Sequence, residues 1–230
     1  SARTFSLHNL GRHKESGFDL CDDVHCQVYG GLDAEALKSN KAVDMTAGEV
    51  LVYKNKLAEV FYHSTCGGYT ANVLNVWNGS RRIDYLSGRR CGFCKNSSHY
   101  NWDIFLSFKE LEKMFTKKGY SVKPIQKAKI SSFTRSGRVK KIVFMYKGGT
   151  LSLKGTEFRA LAGYFKLKST MFKIYNKKDG IKIIGHGFGH GVGLCQTGAK
   201  TMAGKRYSYK SILEYYYPGT EIKSWDKISD

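Results

Sequence analysis

The sequence predicts an α+β fold. Three observations carry that prediction: hairpin signals recur along the chain, short helical stretches lie between them, and glycine-rich turns separate the two. Hairpins imply mainly antiparallel pairing. Residues 1–10 hold no Gly or Pro and read as the end of a helix. Residues 11–25 are polar, lack periodicity and contain a His/Cys cluster. Cys26-Gln27-Val28-Tyr29 reads as a short strand ended by Gly30-Gly31. Ala34 to Met45 has helical composition, with Asp33 as N-cap and Ala47-Gly48 as the break. Glu49 to Tyr53 and Leu57 to Tyr62 form a predicted hairpin around Asn55.

That hairpin delivers the chain to His63-Ser64-Thr65-Cys66-Gly67-Gly68, a polar loop ended by glycine. Residues 71–104 are irregular and rich in Asn, Ser, Gly and Arg, with Trp77, Tyr85 and Trp102 as expected anchors. Ser107-Phe108-Lys109-Glu110 fits a capping box, so a helix runs to about Lys118 and stops at Gly119. Val139 to Tyr146 and Thr150 to Lys154 flank Gly148-Gly149, a second hairpin. Gly155 to Ala162 is a short helix. Met171 to Tyr175 and Ile181 to Ile184 flank Lys178-Asp179-Gly180, a third hairpin. After a glycine-rich loop at 185–193, Leu194 to Ala203 and Ser208 to Tyr216 are helical, and Pro218-Gly219 ends the second. No linker or repeat interrupts the chain, so residues 1–230 are expected to form one unit.

At 230 residues the chain can bury a sizeable core without staples. Apolar residues make up 41% and charged residues 25%, values of a globular protein. No apolar run reaches the roughly 18 residues of a membrane-crossing helix. The chain opens with Ser1-Ala2-Arg3-Thr4-Phe5, which reads as the middle of a helix, so the absence of a targeting segment says nothing of localisation. The net charge of +19, from 38 basic and 19 acidic residues, favours polyanions. Nucleic acid, anionic membrane and anionic cell wall all qualify. The basic residues are mostly Lys and scattered, and no base-reading motif accompanies them, which argues against nucleic acid.

The densest chemical signal is Gly185-His186-Gly187-Phe188-Gly189-His190-Gly191-Val192-Gly193-Leu194-Cys195-Gln196. Alternate glycines free the backbone for positive φ and for close approach by another chain or a ligand. The spacing does not satisfy G-x-G-x-x-G, and no Gly-Lys-Ser/Thr follows, so neither a dinucleotide nor a Walker loop is present. His186 and His190 are four apart, but the glycines between and beside them oppose a zincin helix and no Glu follows His186.

This loop, with Gly198-Ala199, Tyr207-Ser208-Tyr209 and Tyr216-Tyr217-Pro218-Gly219-Thr220, resembles the C-terminal signature of the SpoIID (stage II sporulation protein D, amidase-enhancer) family. Ala2-Arg3-Thr4-Phe5 resembles the end of that family's first helix, and His63 to Thr70 with Trp77 its central block. Gly155-Thr156-Glu157-Phe158-Arg159 with Lys168-Ser169-Thr170 resembles the block before the glycine loop. The resemblance implies a single SpoIID-like unit with a sugar groove that acts on peptidoglycan. It implies lytic transglycosylation of peptide-free glycan strands, or else a non-catalytic enhancer of a cell-wall amidase. It implies an extracytoplasmic, wall-facing location, with a sporulation or wall-remodelling role.

The family's catalytic Glu precedes the Ala-Arg-Thr segment, so by this resemblance it lies upstream of Ser1 and no catalytic residue is expected within the chain. Glu157 beside Arg159 is expected to be a structural ion pair, and Glu59 a surface residue on a strand. The resemblance assigns the groove to Arg3, His63, Ser64, Thr65, His190, Gln196 and Tyr216, with Tyr216 or Tyr217 stacking on sugar faces.

His13-x7-Cys21-x3-His25-Cys26 offers two imidazoles and two thiols within 14 residues, a set that zinc takes tetrahedrally. Some SpoIID-family members are similar in carrying a His/Cys zinc site just after the first helix, which implies structural zinc here. The rivals are a Cys21–Cys26 disulfide or simply surface histidines. Cys66 is expected to form a disulfide with Cys91 or Cys94, or a second metal site with both and His99. Cys195 reads as a small buried residue.

Overall fold

The structure, a computed structural model, describes residues 1–228. Its elements, in chain order, are α1 (Ala2–His8), α2 (Leu37–Met45), β1 (Glu49–Tyr53), β2 (Lys56–Leu57), β3 (Tyr62–His63), β4 (Asn101–Ser107) and α3 (Phe108–Thr116). They continue with β5 (Ile125–Phe133), β6 (Val139–Tyr146), β7 (Gly149–Lys154), α4 (Gly155–Ala162), β8 (Phe172–Lys177) and β9 (Gly180–His186). The chain closes with β10 (Leu194–Cys195), α5 (Gln196–Gly204), α6 (Tyr209–Tyr216) and β11 (Glu221–Ser224). The α+β class is as the hairpin and helix signals predict. The residues divide into two compact units: Ser1–Phe61 with the chain from Tyr217, and Tyr62–Tyr216.

In the first unit β1 is the middle strand of the antiparallel order β11-β1-β2. Val50, Leu51 and Val52 are all buried, as expected of a central strand. Helix α1 is fastened to it by a buried side chain: the Leu51 amide donates to Thr4 Oγ1 at 3.0 Å. The turn of the hairpin falls on Lys54 and Asn55, both at positive φ, and β2 is shorter than predicted. Glu59 therefore lies beyond the strand, half-buried. The predicted strand Cys26 to Tyr29 is absent, because that stretch follows the turns of the His/Cys segment and finds no strand partner. Helix α2 begins at Leu37, with Ala36 as its N-cap; Asp33 sits in a preceding turn of 3₁₀ helix.

The second unit is built on two antiparallel three-stranded sheets, β4-β9-β8 and β5-β6-β7. Sequence periodicity did not single out β4 or β5. One sheet is hydrogen-bonded to the other through one side chain: Asn176 of β8 accepts from the Ala128 amide at 2.8 Å and donates to its carbonyl at 2.9 Å. Leu111 and Phe115 of α3 and Phe158 of α4 join Ile142, Phe144, Phe172, Ile181 and Ile183 in one core. The capping box of α3 forms as predicted. The Glu110 amide donates to Ser107 Oγ and the Ser107 amide to Glu110 Oε2 at 2.9 Å. Those bonds from Ser107, joined by Lys166, hold the Glu110 carboxyl down at about 2.

Trp102 closes the core where β4 meets β9. Its indole lies over Gly185, its partner in the register, and donates Nε1–H to Gly187 O at 2.8 Å. A Cβ at Gly185 would overlap the indole ring. Gly185→Ala is therefore expected to cost about 1–3 kcal/mol, read as a lower urea midpoint. An unchanged midpoint would show that the indole is free to move and is not what fixes the glycine.

Candidate functional site

The glycine loop is joined by backbone bonds to the His63–Gly68 loop. Strand β10 pairs in parallel with β3, Leu194 with Tyr62 and Cys195 with His63. Ahead of it Thr65 and Phe188 exchange two bonds: the Thr65 amide donates to Phe188 O at 3.0 Å and the Phe188 amide to Thr65 O at 2.7 Å. The Ala71 amide donates to Gly191 O at 2.7 Å and the Thr197 amide to Ser64 O at 3.0 Å. Two glycines make this approach possible. Gly187 has φ 79°, and a Cβ there would lie 2.6 Å from Thr65 O and 2.7 Å from Gly67 N. Gly189 has φ 112° and would press on His63 Cβ at 2.8 Å. No L side chain fits either position without moving backbone.

Two neutral histidines lock the same junction. His190 Nε2 donates to Tyr62 O at 2.9 Å, and Nδ1 accepts from the Val192 amide at 3.1 Å, which fixes the tautomer. His63 Nδ1 donates to Val192 O at 3.1 Å, while its Nε2 is buried with no hydrogen-bond partner among the described residues. The two rings meet edge-on at 5.4 Å. Burial is the main reason both stay uncharged: it pushes His190 down to about 4 and His63 well below the ordinary value.

The predicted site residues separate into two groups. Ser64 is half-buried and Gln196 is exposed at the first residue of α5, next to Thr197. The Ser64 hydroxyl lies 3.3 Å from Thr65 Oγ1. His190 is half-buried beside Trp77, ring centroids 5.1 Å apart, but both its nitrogens serve the protein itself. Thr65 is buried, its hydroxyl 3.0 Å from both Ser97 Oγ and Thr197 Oγ1. Tyr216 corrects the sequence expectation: it is 2% exposed, its hydroxyl 3.2 Å from Cys91 Sγ, so it cannot stack on a sugar. Tyr217 is buried too, donating to Phe61 O at 2.6 Å.

Trp77, expected only as an anchor, is instead 37% exposed, while Tyr85 and Trp102 are buried as expected. In the first unit, Arg3 donates to the carbonyls of Val43, Thr46 and Glu49, where its charge meets the C-terminal end of α2. Glu157 accepts from the Lys154 amide at 2.8 Å and so caps α4. Arg159 turns to Leu167 O at 2.9 Å and to the Tyr164 ring, not into the pair expected.

The first unit also holds the His/Cys segment. A turn in which the Gly11 amide donates to Asp19 Oδ1 at 2.7 Å brings its residues together. His13 Nε2 lies 3.3 Å from Cys26 Sγ, and His25 Nδ1 lies 3.7 Å from Cys21 Sγ and 3.6 Å from Cys26 Sγ. All four donor atoms fall within 4.8 Å of one another. This is an N2S2 set of the size one tetrahedral ion spans, so these residues can hold a metal ion. The rival Cys21–Cys26 disulfide is not formed; both residues are free thiols. The same is true of Cys66, Cys91 and Cys94, so the expected Cys66 disulfide is absent.

Comparison with known proteins fits this architecture. The model of the SpoIID family, "Stage II sporulation protein", matches residues 1–53, and a domain of unknown function, DUF8618, matches residues 71–193. The chain is 32% identical to the stage II sporulation protein D of Bacillus amyloliquefaciens over 99% of its own length and 67% of that protein. The chain belongs to the stage II sporulation protein D family. Other relatives are an uncharacterized protein of Brachyspira hyodysenteriae, 33% identical over all of this chain and 61% of that one, and the amidase enhancer of Bacillus subtilis, 28% identical over 98% of this chain and 37% of that one. The chain thus spans between 37% and 67% of the length of these relatives. Within this family member the family-model match ends with β1, and the second match ends inside the glycine loop. Among the described residues no helix is long and apolar enough to cross a membrane.

The neutral histidines set a pH dependence. His190 is held at about 4 against an ordinary 6.5, so the unfolded chain binds its proton first as pH falls. Its contribution to stability is complete above pH 6.5 and is lost as pH drops toward 4. The thermal midpoint of the wild type is expected to fall more between pH 7.5 and 5 than that of His190→Gln, whose side chain does not titrate. Parallel slopes for the two proteins would remove His190 from this role.

Proposed function

We propose that this protein acts on the glycan strands of peptidoglycan as a lytic transglycosylase, in sporulation or related wall remodelling outside the cytoplasmic membrane. The observation that carries the reading is the surface formed where the glycine loop meets the His63–Gly68 loop. There an exposed indole, Trp77, lies beside His190, and Ser64 and Gln196 present polar groups close by in the fold. An aromatic face offers a sugar an apolar platform, and hydroxyl and amide groups match acetamido and hydroxyl partners. The net charge of +19 favours an anionic wall.

In this reading one carboxylic acid, a Glu that the family resemblance places ahead of the Ala2-Arg3-Thr4 segment, protonates the oxygen between MurNAc and GlcNAc. The C6 hydroxyl of MurNAc then captures the anomeric carbon, returning its proton to the same carboxylate and leaving a 1,6-anhydro end. The reaction needs one carboxyl where ordinary glycosidases use two. Glu157, held as a helix cap, is not assigned to this role. His63 and His190, neutral and internally bonded, shape the surface and carry no proton in the reaction. The alternative is a wall-binding enhancer of a cell-wall amidase. It is favoured by the likeness to the amidase enhancer of Bacillus subtilis over 98% of the chain.

The test incubates peptide-free glycan strands with this chain and with a form extended upstream through the whole first helix. Anhydro-MurNAc ends are expected by mass spectrometry from the extended form alone. Trp77→Ala in that form should weaken strand binding about tenfold, the worth of one aromatic platform. Strands that bind but stay uncut by both forms leave the enhancer. Binding that collapses with salt would leave only a polyanion surface.

The His13, Cys21, His25 and Cys26 set is read as a structural zinc site, a closed shell that pins the segment and activates no water. Zinc removal by a chelator is expected to speed amide exchange across residues 11–27 while residues 125–146 stay protected. Equal exchange with and without chelator would remove a metal ion from what holds the segment.

A further inference from the structure

Four cysteines of the second unit come from three separate stretches of chain. Cys66 follows β3, Cys91 and Cys94 form a C-x-x-C turn, and Cys195 ends β10. All four are 0–1% exposed. Their Sγ atoms lie within 4.8 Å of one another, and Cys66 Sγ is 3.4 Å from Cys94 Sγ. A disulfide would bring two sulfurs to about 2.0 Å. A tetrahedral zinc ion, with Zn–S near 2.3 Å, separates its sulfurs by about 3.8 Å. The observed spacing is that of thiolates around one ion, and it is too tight to enclose a larger iron–sulfur cluster.

We propose that Cys66, Cys91, Cys94 and Cys195 bind one structural zinc ion.

Two further features fit anionic sulfur. First, three of the four sulfurs have hydrogen-bond donors on them, although Cys195 Sγ also lies 3.7 Å from Ser64 O. The Cys66 and Gly198 amides both donate to Cys195 Sγ at 3.3 Å, the Gly68 amide donates to Cys66 Sγ at 3.4 Å, and the Tyr216 hydroxyl is 3.2 Å from Cys91 Sγ. Neutral thiols accept weakly, whereas metal-bound thiolates gain from such bonds. Second, a buried cation stands beside the set. Arg138 is 2% exposed, and its Nη2 donates to the Cys66 and Tyr69 carbonyls, at 2.8 Å to Cys66. Among the described residues its Nε and Nη1 are buried without a hydrogen-bond partner, and its Nη2 meets carbonyls rather than a carboxylate. A buried guanidinium without a counter-charge is costly. One divalent ion with four thiolates carries a net charge of about −2, which supplies the counter-charge that four protonated thiols would not.

The fourth ligand is Cys195, not His99, whose ring packs on Phe188 at 5.0 Å. Four protein ligands close the shell, so the ion is structural and offers no position to substrate. What it fastens is the junction described above: the His63–Gly68 loop, the Cys91–Cys94 turn and the entry to α5. The inference is independent of the lytic reading, because it concerns the stability of unit two and not turnover.

The test uses the Cys21→Ser/Cys26→Ser double variant of this chain, purified under reducing conditions without added metal. That variant lacks the first His/Cys set and leaves the second unit intact. Elemental analysis is expected to find about one zinc per chain, and X-ray absorption at the zinc edge a shell of sulfur alone near 2.3 Å. Cobalt in its place should give a tetrahedral spectrum with thiolate charge transfer. Adding Cys195→Ser should abolish stoichiometric metal; the absorption measurement stands even if that protein does not fold. A metal-free protein, disulfides among the four by mass, iron in place of zinc, or an imidazole in the shell would each overturn the proposal.

Discussion

The second unit depends on a close approach between two backbones. Thr65 and Phe188 exchange a pair of hydrogen bonds across a gap that leaves no room for a Cβ at Gly187. Everything near the candidate site is placed relative to that contact. The parallel pairing of β3 with β10, the two interlocked histidines and the entry of α5 all follow within a few residues of it. The alternation of glycine is therefore a steric requirement of the pairing. It does not by itself indicate a mobile loop, for the loop is bonded along most of its length.

The sheets beneath provide the rigidity that this arrangement needs. Strand β9 runs directly into the glycine loop, and Trp102 on β4 ties the loop's start to the core through Gly187 O. The Asn176 side chain then bonds one sheet to the other through both groups of Ala128. Exposed side chains such as Trp77 and Gln196 are thus presented from a fixed base, the arrangement by which scaffolds carry ligand contacts on loops.

Much of the fold could be read from local signals. The capping box at Ser107, the hairpin at Gly148-Gly149 and the helix from Gly155 each depend on neighbouring residues alone, and each forms where its residues indicate. Strand β5 escaped notice because register shifts break its alternation, and β4 because its outward Phe105 blurs an otherwise regular alternation and its partner lies far along the chain. The site was half legible. Types such as His63 and His190 could be named, but not that His63 would bond Val192 O and His190 would bond Tyr62 O and the Val192 amide. Tyr216 illustrates the same limit, since nothing local distinguishes a tyrosine on a thiol from one on a surface. The gathering of Cys195 with Cys66, Cys91 and Cys94 left no spacing signal, because one ligand lies 129 residues from another.

That separation has a kinetic meaning. His63 and Val192, bonded in the finished protein, are also 129 residues apart. Closing so long a loop is entropically costly unless the intervening chain has already compacted. The two antiparallel sheets lie wholly within that interval and are mostly built from hairpins and near neighbours. Loop-closure entropy therefore favours sheets that form before the junction. A chain interrupted before β10 would hold both antiparallel sheets but lack the strand, the helix entry and the thiol that complete the junction.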